Sequence, residues 1–255
     1  MHKKIIHTNK IRSIITGLLC MLFCCNAQTA SSQVLIALVF GNKLNTGKLE
    51  FGLMTGPTLT QISNINSKLK PGLNLGLYFN VNISDRLVLH PEAIPKSAMG
   101  AKGIDFYSTG NIGLDTLMNG ASIKRSIKAI SVPLLVRYRI AGLLYVEAGP
   151  QIDLITNVKD IFKKEADDNE LTYTNQIKDE YTRFEVGVAG GLVYKLKKNT
   201  SLAFGLRYFT GLTDISKLQA GNQLSSGWLF NVFIPIGAGK AEKMKAEHAA
   251  ASPVN

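Results

Sequence analysis

Past position 25 the sequence contains no cysteine; Cys20, Cys24 and Cys25 are the only three. A chain without later thiols forms no disulfide staples and no cysteine-ligated zinc site. Histidine is nearly as scarce. His90 and His248 are the only ones beyond residue 7, and two separated imidazoles make a poor metal centre. No apolar run reaches the roughly 20 residues that a membrane-crossing helix needs. No phosphate loop is present, and no GxGxxG stands between a strand and a helix, so nucleotide chemistry has no motif. The glycines at 187, 190 and 191 read instead as packing positions within a strand. The acidic stretch Asp167-Asp168-Asn169-Glu170 lacks the glycine and closing glutamate of a calcium loop. No cofactor or metal is expected. Formal net charge is +11, but the cations are dispersed rather than interleaved with aromatics. No nucleic-acid partner is expected from that.

What is present begins with a leader. Lys3, Lys4, Lys10 and Arg12 form a basic start, residues 14–25 are apolar, and Asn26-Ala27 offers a small residue for cleavage. This pattern predicts a cleaved signal peptide over residues 1–27, with Ala30 as a second cleavage point. Acylation at Cys24 or Cys25 is disfavoured by bulky Phe23. Losing those four cations leaves +7, which suits attraction to anionic headgroups or lipopolysaccharide. Residues 28–47 are expected to be a periplasmic segment whose apolar stretch, 34–40, is too short to span as a helix. It is expected to act as a plug or to lie at the membrane interface.

From residue 48 onward apolar residues alternate with polar or tiny ones, the signature of strands. Val132, Leu134, Val136, Tyr138 and Ile140 share one parity, opposed by Ser131, Arg137 and Arg139. Val146, Ala148, Ile152 and Leu154 oppose Glu147, Gly149, Gln151 and Asp153. The same holds for Val186, Val188, Leu192 and Tyr194 against Glu185, Gly187, Ala189 and Lys195. Leu202, Phe204, Leu206 and Tyr208 oppose Ala203, Gly205 and Arg207, and Trp228 to Ile236 closes the series. Earlier runs start at Leu49, Leu73 and Leu87, and Pro91 and Pro95 predict an irregularity in the third, near the rim. The runs are about 10 to 14 residues long, near the 9 to 11 that a tilted membrane strand requires.

The connections alternate. Ser84-Asp85, Ala141-Gly142 and 197–200 are tight; 61–70, 97–124, 157–180 and 213–225 are long and polar. Short inner turns and long outer loops characterise outer-membrane barrels, and backbone in lipid must close on itself. The expected fold is therefore all-β: a closed antiparallel up-and-down transmembrane barrel of about eight strands, over residues 48–238. A polar tail, 239–255, follows.

The parity bearing both charge signs is assigned to the lumen, where opposite charges can pair. It supplies the candidate charge network: Glu50, Glu92, Arg137, Arg139, Glu147, Asp153, Arg183, Glu185 and Arg207. Its role is structural, and no catalytic residue is assigned. Eight strands leave an interior that side chains fill, so a plugged barrel is expected rather than an open porin. Tyr138, Tyr194, Tyr208 and Trp228, near the run ends of the other parity, suit an aromatic girdle.

In order, these runs resemble the PorT-like outer-membrane β-barrel family of Bacteroidetes. The matching segments include Lys48-Leu49-Glu50-Phe51-Gly52, His90-Pro91-Glu92 and Ile130-Ser131-Val132-Pro133-Leu134-Leu135-Val136-Arg137-Tyr138. They continue with Tyr145-Val146-Glu147-Ala148-Gly149-Pro150-Gln151 and Arg207-Tyr208 with Gly211-Leu212-Thr213. The resemblance covers about residues 35–238. It implies an eight-stranded barrel in the outer membrane. It implies little about activity. The role expected here is non-enzymatic, structural or interactive, and by analogy with one relative it extends to secretion or assembly with envelope proteins as partners. The chain departs from the usual barrel ending, since its last strand stops near Ile236 and a tail follows. Phe233 is the candidate internal assembly signal. Asp115-Thr116-Leu117 resembles the O-glycosylation acceptor of these bacteria.

Two other classes remain open in the sequence. A lipid-modifying barrel enzyme would use His90 and Glu92 as an acid–base pair. A soluble lipocalin-like barrel would have an apolar cavity and a polar exterior.

Overall fold

The computed structural model describes residues 49–166, 169–197, 200–217 and 222–236. The leader, the 28–47 segment, the 239–255 tail, His248 and the Asp167-Asp168 pair lie outside them. The strands are β1 (Leu49–Ile62), β2 (Lys68–Asn82), β3 (Leu87–Ile104), β4 (Ser122–Ala141) and β5 (Leu144–Ala166). They continue with β6 (Asn169–Gln176), β7 (Phe184–Lys197), β8 (Thr200–Gly211) and β9 (Ser225–Pro235). A short helix, α1 (Ile112–Met118), lies between β3 and β4.

Every pairing is antiparallel, and β1 bonds to β9 as well as to β2, with Leu53 opposite Ile234 and Thr58 opposite Leu229. With β6 set aside, eight strands form a closed ring in the order β1-β2-β3-β4-β5-β7-β8-β9. Closure removes the free edges that lipid could not hydrogen-bond. The seam needs a glycine. At Gly56 a β-carbon would lie 1.6 Å from the Phe230 carbonyl oxygen, so any side chain there would force β1 and β9 apart.

The alternation read from the sequence maps onto the two faces of the wall. Leu134, Val136, Ile152, Val188, Leu192, Phe230 and Ile234 are exposed outward, while Arg137, Glu147, Gln151, Asp153, Arg207 and Asn231 are buried inward. Such an arrangement suits a solvent of hydrocarbon and reverses a lipocalin's. Tyr138 and Tyr194 stand at the turn end of the outward face, and Tyr208 and Trp228 stand together near the loop end with ring centroids 4.9 Å apart. These are the two girdles expected at the membrane interfaces. The β4–β5 turn places Gly142 at φ +48, a region that favours glycine.

Three differences from the sequence reading have physical causes. The proline-linked irregularity occurs, but within β3 rather than at its rim: the register against β4 shifts between Ile94 and Ser97. The inward set accordingly passes from His90, Glu92 and Ile94 to Ser97, Met99 and Ala101. The segment read as one long loop over 157–180 instead continues β5 to Ala166 and turns back as β6, which pairs only with β5. The segment over 97–124 likewise yields strand at both ends, and 61–70 gives up half of its length. Beyond the bilayer the outward positions meet water and turn polar, as at Lys124 and Lys128, while the inward ones turn largely apolar, as at Ile123, Ile127 and Val158, so polarity there does not mark the end of a strand.

The extended loop end is folded. Ser63 N donates to Leu224 O at 2.9 Å, Thr182 N to Ile215 O at 2.9 Å and Lys217 N to Glu180 O at 2.8 Å. These bonds tie the β1–β2, β6–β7 and β8–β9 connections to one another. Ile104, Ile123, Val158, Phe162, Ile177 and Ile215 are buried beneath them.

Candidate functional site

Five of the sequence-predicted lumen residues meet in one cluster in the turn half of the barrel. Arg207 on β8 donates from Nη1 and Nη2 to both oxygens of Glu92 on β3, at 2.8 and 2.7 Å. Its Nε donates to Glu147 Oε1 on β5 at 2.7 Å. Arg137 on β4 donates to the other oxygen of Glu147 at 2.7 Å. Glu50 on β1 accepts from Asn80 Nδ2 at 2.7 Å and from the Tyr78 hydroxyl at 3.2 Å. His90 links the two halves, with Nδ1 2.5 Å from Asn80 Oδ1 and Nε2 2.7 Å from Glu92 Oε1. Alternation explains the convergence: each residue occupies the inward parity of its strand, and the small barrel brings the parities together.

The cluster crosses the axis. In the ring order β3 and β8 are four strands apart, on opposite walls, as are β4 and β9. The Arg207–Glu92 fork spans the first diameter. Across the second, the Arg137 guanidinium lies 4.3 Å from the centroid of the Phe233 ring. Phe233 is fully buried, its ring edge-on to Tyr78 and His90. It is thus a lumen residue packed against a guanidinium, where cation–π attraction is strongest once water is excluded. Arg207, Glu92, Glu147 and His90 are all at or near zero exposure. Ionic groups this deeply buried are retained only when bonded at nearly every atom.

The remaining predicted residues lie elsewhere. Asp153 and Glu185 are cross-strand partners further toward the loops. Both oxygens of Asp153 face Gln151 Nε2, at 3.0 and 3.1 Å, and Glu185 Oε1 accepts from Ser225 N at 2.9 Å. Among the described residues no cation pairs with either, so charge pairing does not extend to this layer. Arg139 is half-buried at the turn end of β4 and outside the cluster. Arg183 corrects the reading: it is exposed in the loop before β7, its guanidinium 6.0 Å from the Phe184 ring. The strand begins at Phe184, so the alternation that assigned Arg183 inward had already ended.

A second ionic cluster was missed. Arg125 donates from Nε and Nη2 to Asp160 at 2.8 and 2.5 Å and from Nη1 to the Tyr181 hydroxyl at 2.6 Å. The Tyr107 hydroxyl donates to Asp160 at 2.8 Å, and that of Tyr181 to Gln223 Oε1 at 3.0 Å. Burial pushes the Tyr181 hydroxyl up to about 12, which keeps it a donor. Above this cluster a cavity of about 490 Å³ opens among the loops, lined in part by Asn66, Asp105, Phe106, Glu180 and Gln223. The signal was available: Ile123, Arg125, Ile127 and Ala129 continue the inward parity of β4.

Among solved structures, the chain is similar to the attachment invasion locus protein Ail of Yersinia pestis. The identity is 13%, over 73% of this chain and 98% of that one, with a TM-score of 0.38. It is also similar to Neisserial surface protein A at 13% identity, over 72% of this chain and 96% of that one, with a TM-score of 0.36. No curated protein matches it. The model of the outer membrane protein beta-barrel domain matches residues 26–217. That span covers most of the chain and joins a closed ring with an apolar outer face, so the chain belongs to the outer membrane β-barrel domain family and resides in the outer membrane.

Proposed function

We propose that this outer-membrane barrel is a non-enzymatic structural or interaction protein with a plugged lumen. We place it among PorT-like proteins of Bacteroidetes, serving secretion or assembly at the envelope. The observation that carries the reading is Arg207, with no exposed surface, held by carboxylates from two other strands, one of them on the opposite wall. A sugar-sized solute would have to break those bonds to pass. Toward the loops, the void bounded by Thr58, Asn74, Gln151 and Ser225 measures about 10 Å³, roughly one water molecule. With the lumen closed, the knitted loops offer the face for envelope or secretion partners, and the outer wall meets lipid and lipopolysaccharide.

The sealed position of His90 argues against the lipid-modifying alternative. Both ring nitrogens are engaged and the side chain has no exposed surface, whereas a general base must reach the proton it abstracts.

The test is permeation. In liposome-swelling and planar-bilayer measurements the purified wild-type barrel should admit no sugar and show no stable conductance. Sugar uptake at the rates of an open porin would overturn the reading.

A further inference from the structure

The outer wall carries a charge pattern for which the plugged barrel has no use. Lys102 on β3 and Lys124 on β4 lie directly opposite each other on the outward parity, and Lys68 at the loop end of β2 lies opposite Lys102. All three are exposed, as are Lys96 on β3 and Lys128 on β4. Like charges directly opposite in a sheet repel and weaken the pairing. Among the described residues, none of these lysines lies within ion-pair distance of a carboxylate; Glu170 is taken by Lys163 at 2.7 Å.

Height on the wall identifies what would relieve the repulsion. Along β4 the outward positions from Ile140 back to Ile130 are apolar, and Lys128 and Lys124 follow toward the loops, with Ser126 between them. At about 3.3 Å rise per residue and a tilt near 40°, those ten residues cover about 25 Å, the height of an outer-membrane apolar band. The lysines therefore begin where the headgroups of the loop-side leaflet begin. The opposed lysines lie on β2 to β4. At the loop ends of β1, β8 and β9 the exposed positions include Gln61, Leu212 and Trp228.

We propose that this patch binds the phosphate groups of an outer-leaflet glycolipid of the lipopolysaccharide class, with the acyl chains lying along the apolar band below. The inference rests on the outer-membrane reading with the loop end facing outward, and it gives the lipid partner a place. A phosphate among opposed ammonium groups turns their repulsion into attraction. Basic clusters at membrane height bind anionic headgroups in this manner. A free phosphate ion or an acidic protein would gain nothing from the band beneath.

The test is native mass spectrometry of the full barrel in detergent, its folding checked by heat-modifiable migration. The probes are diphosphoryl lipid A, monophosphoryl lipid A, phosphatidylglycerol and inorganic phosphate. Diphosphoryl lipid A should be retained best. The Lys102→Gln/Lys124→Gln double variant should lose about tenfold in affinity, while Arg86→Gln at a turn-end loop should bind as wild type does. A second readout carries the opposite sign. Without lipid the double variant should unfold at a higher temperature, because repulsion has been removed, and lipid A should raise that temperature less than it does for wild type. The proposal fails if the double variant binds normally or unfolds earlier without lipid. It also fails if phosphatidylglycerol binds equally or inorganic phosphate displaces the lipid. Such a failure in a barrel that still admits no sugar would leave the plugged reading standing.

Discussion

Two sets of carboxylates share this lumen under opposite conditions. Glu92 and Glu147 face guanidinium groups that bond both of their oxygens. Asp153 and Glu185, one layer nearer the loops, face each other across a strand pair, bonded by the Gln151 amide and the Ser225 backbone N–H with no cation beside them among the described residues, and one oxygen of Glu185 has no protein partner. All four are buried. A buried charge is tolerated in proportion to the dipoles and counter-charges arranged around it. The first layer is therefore a structural lock, and the second lacks the counter-charge that would offset ionisation. Placing both signs on one strand parity does not ensure that they meet at the same height.

The comparison is broken most severely by removing the shared cation. Arg207→Ala leaves Glu92 with no guanidinium and Glu147 with Arg137 alone, and should cost about 3 to 5 kcal/mol, the range for orphaning a buried charge. Urea unfolding in lipid vesicles would read it. A loss under 1 kcal/mol would mean that the cluster is hydrated rather than locked. Glu147→Gln keeps shape but removes the anion bonded to both Arg137 and Arg207, with an expected cost of about 1.5 to 3 kcal/mol by the same assay.

The same exchange one layer away should behave oppositely. Glu185→Gln keeps an acceptor for Ser225 N and removes an ionisable group that has no cation beside it. Stability at neutral pH should be unchanged or should rise by about 1 kcal/mol, within the ordinary range of single substitutions. Were Glu185→Gln to destabilise as much as Glu147→Gln, the two layers would be equivalent and the contrast between them void.

Why both layers were legible by face and neither by partner follows from what alternation encodes. Period two fixes which wall face a side chain takes, so Glu92, Arg137, Glu147 and Arg207 were assignable inward residue by residue. It says nothing of height along the axis, which depends on register across pairs such as Arg137 with Glu147 and Asp153 with Glu185. Hence partners could not be named in advance, and His90 and Phe233 were not read as members of one cluster. Arg125 and Asp160 were missed for another reason. Their strands leave the bilayer, where outward positions such as Lys124 turn polar and inward ones such as Ile123 and Ile127 turn apolar, so a polar residue no longer marks the inward face. Arg183 erred in the reverse direction, since alternation was carried one residue past the point where pairing with β5 stops.

The loop end offers the mildest perturbation, and its sign can be worked out. The Asp115 carboxylate accepts from the hydroxyl of Ser108 at 2.5 Å and from the amide and hydroxyl of Thr109 at 2.8 and 2.7 Å. These bonds hold its pKa below the ordinary carboxylate value. A group with a lowered folded-state value contributes above the unfolded value and loses that contribution as pH falls through the lowered one. Amide hydrogen exchange in residues 108–111 should therefore accelerate, relative to its intrinsic rate, as pH falls below the usual carboxylate range. Asp115→Asn should weaken that protection at neutral pH and abolish the acid step, leaving the unfolding of the barrel unmoved. An acid step that persists in Asp115→Asn would assign it to another group, since α1 retains its separate cap in Asn111, whose side chain accepts from Leu114 N.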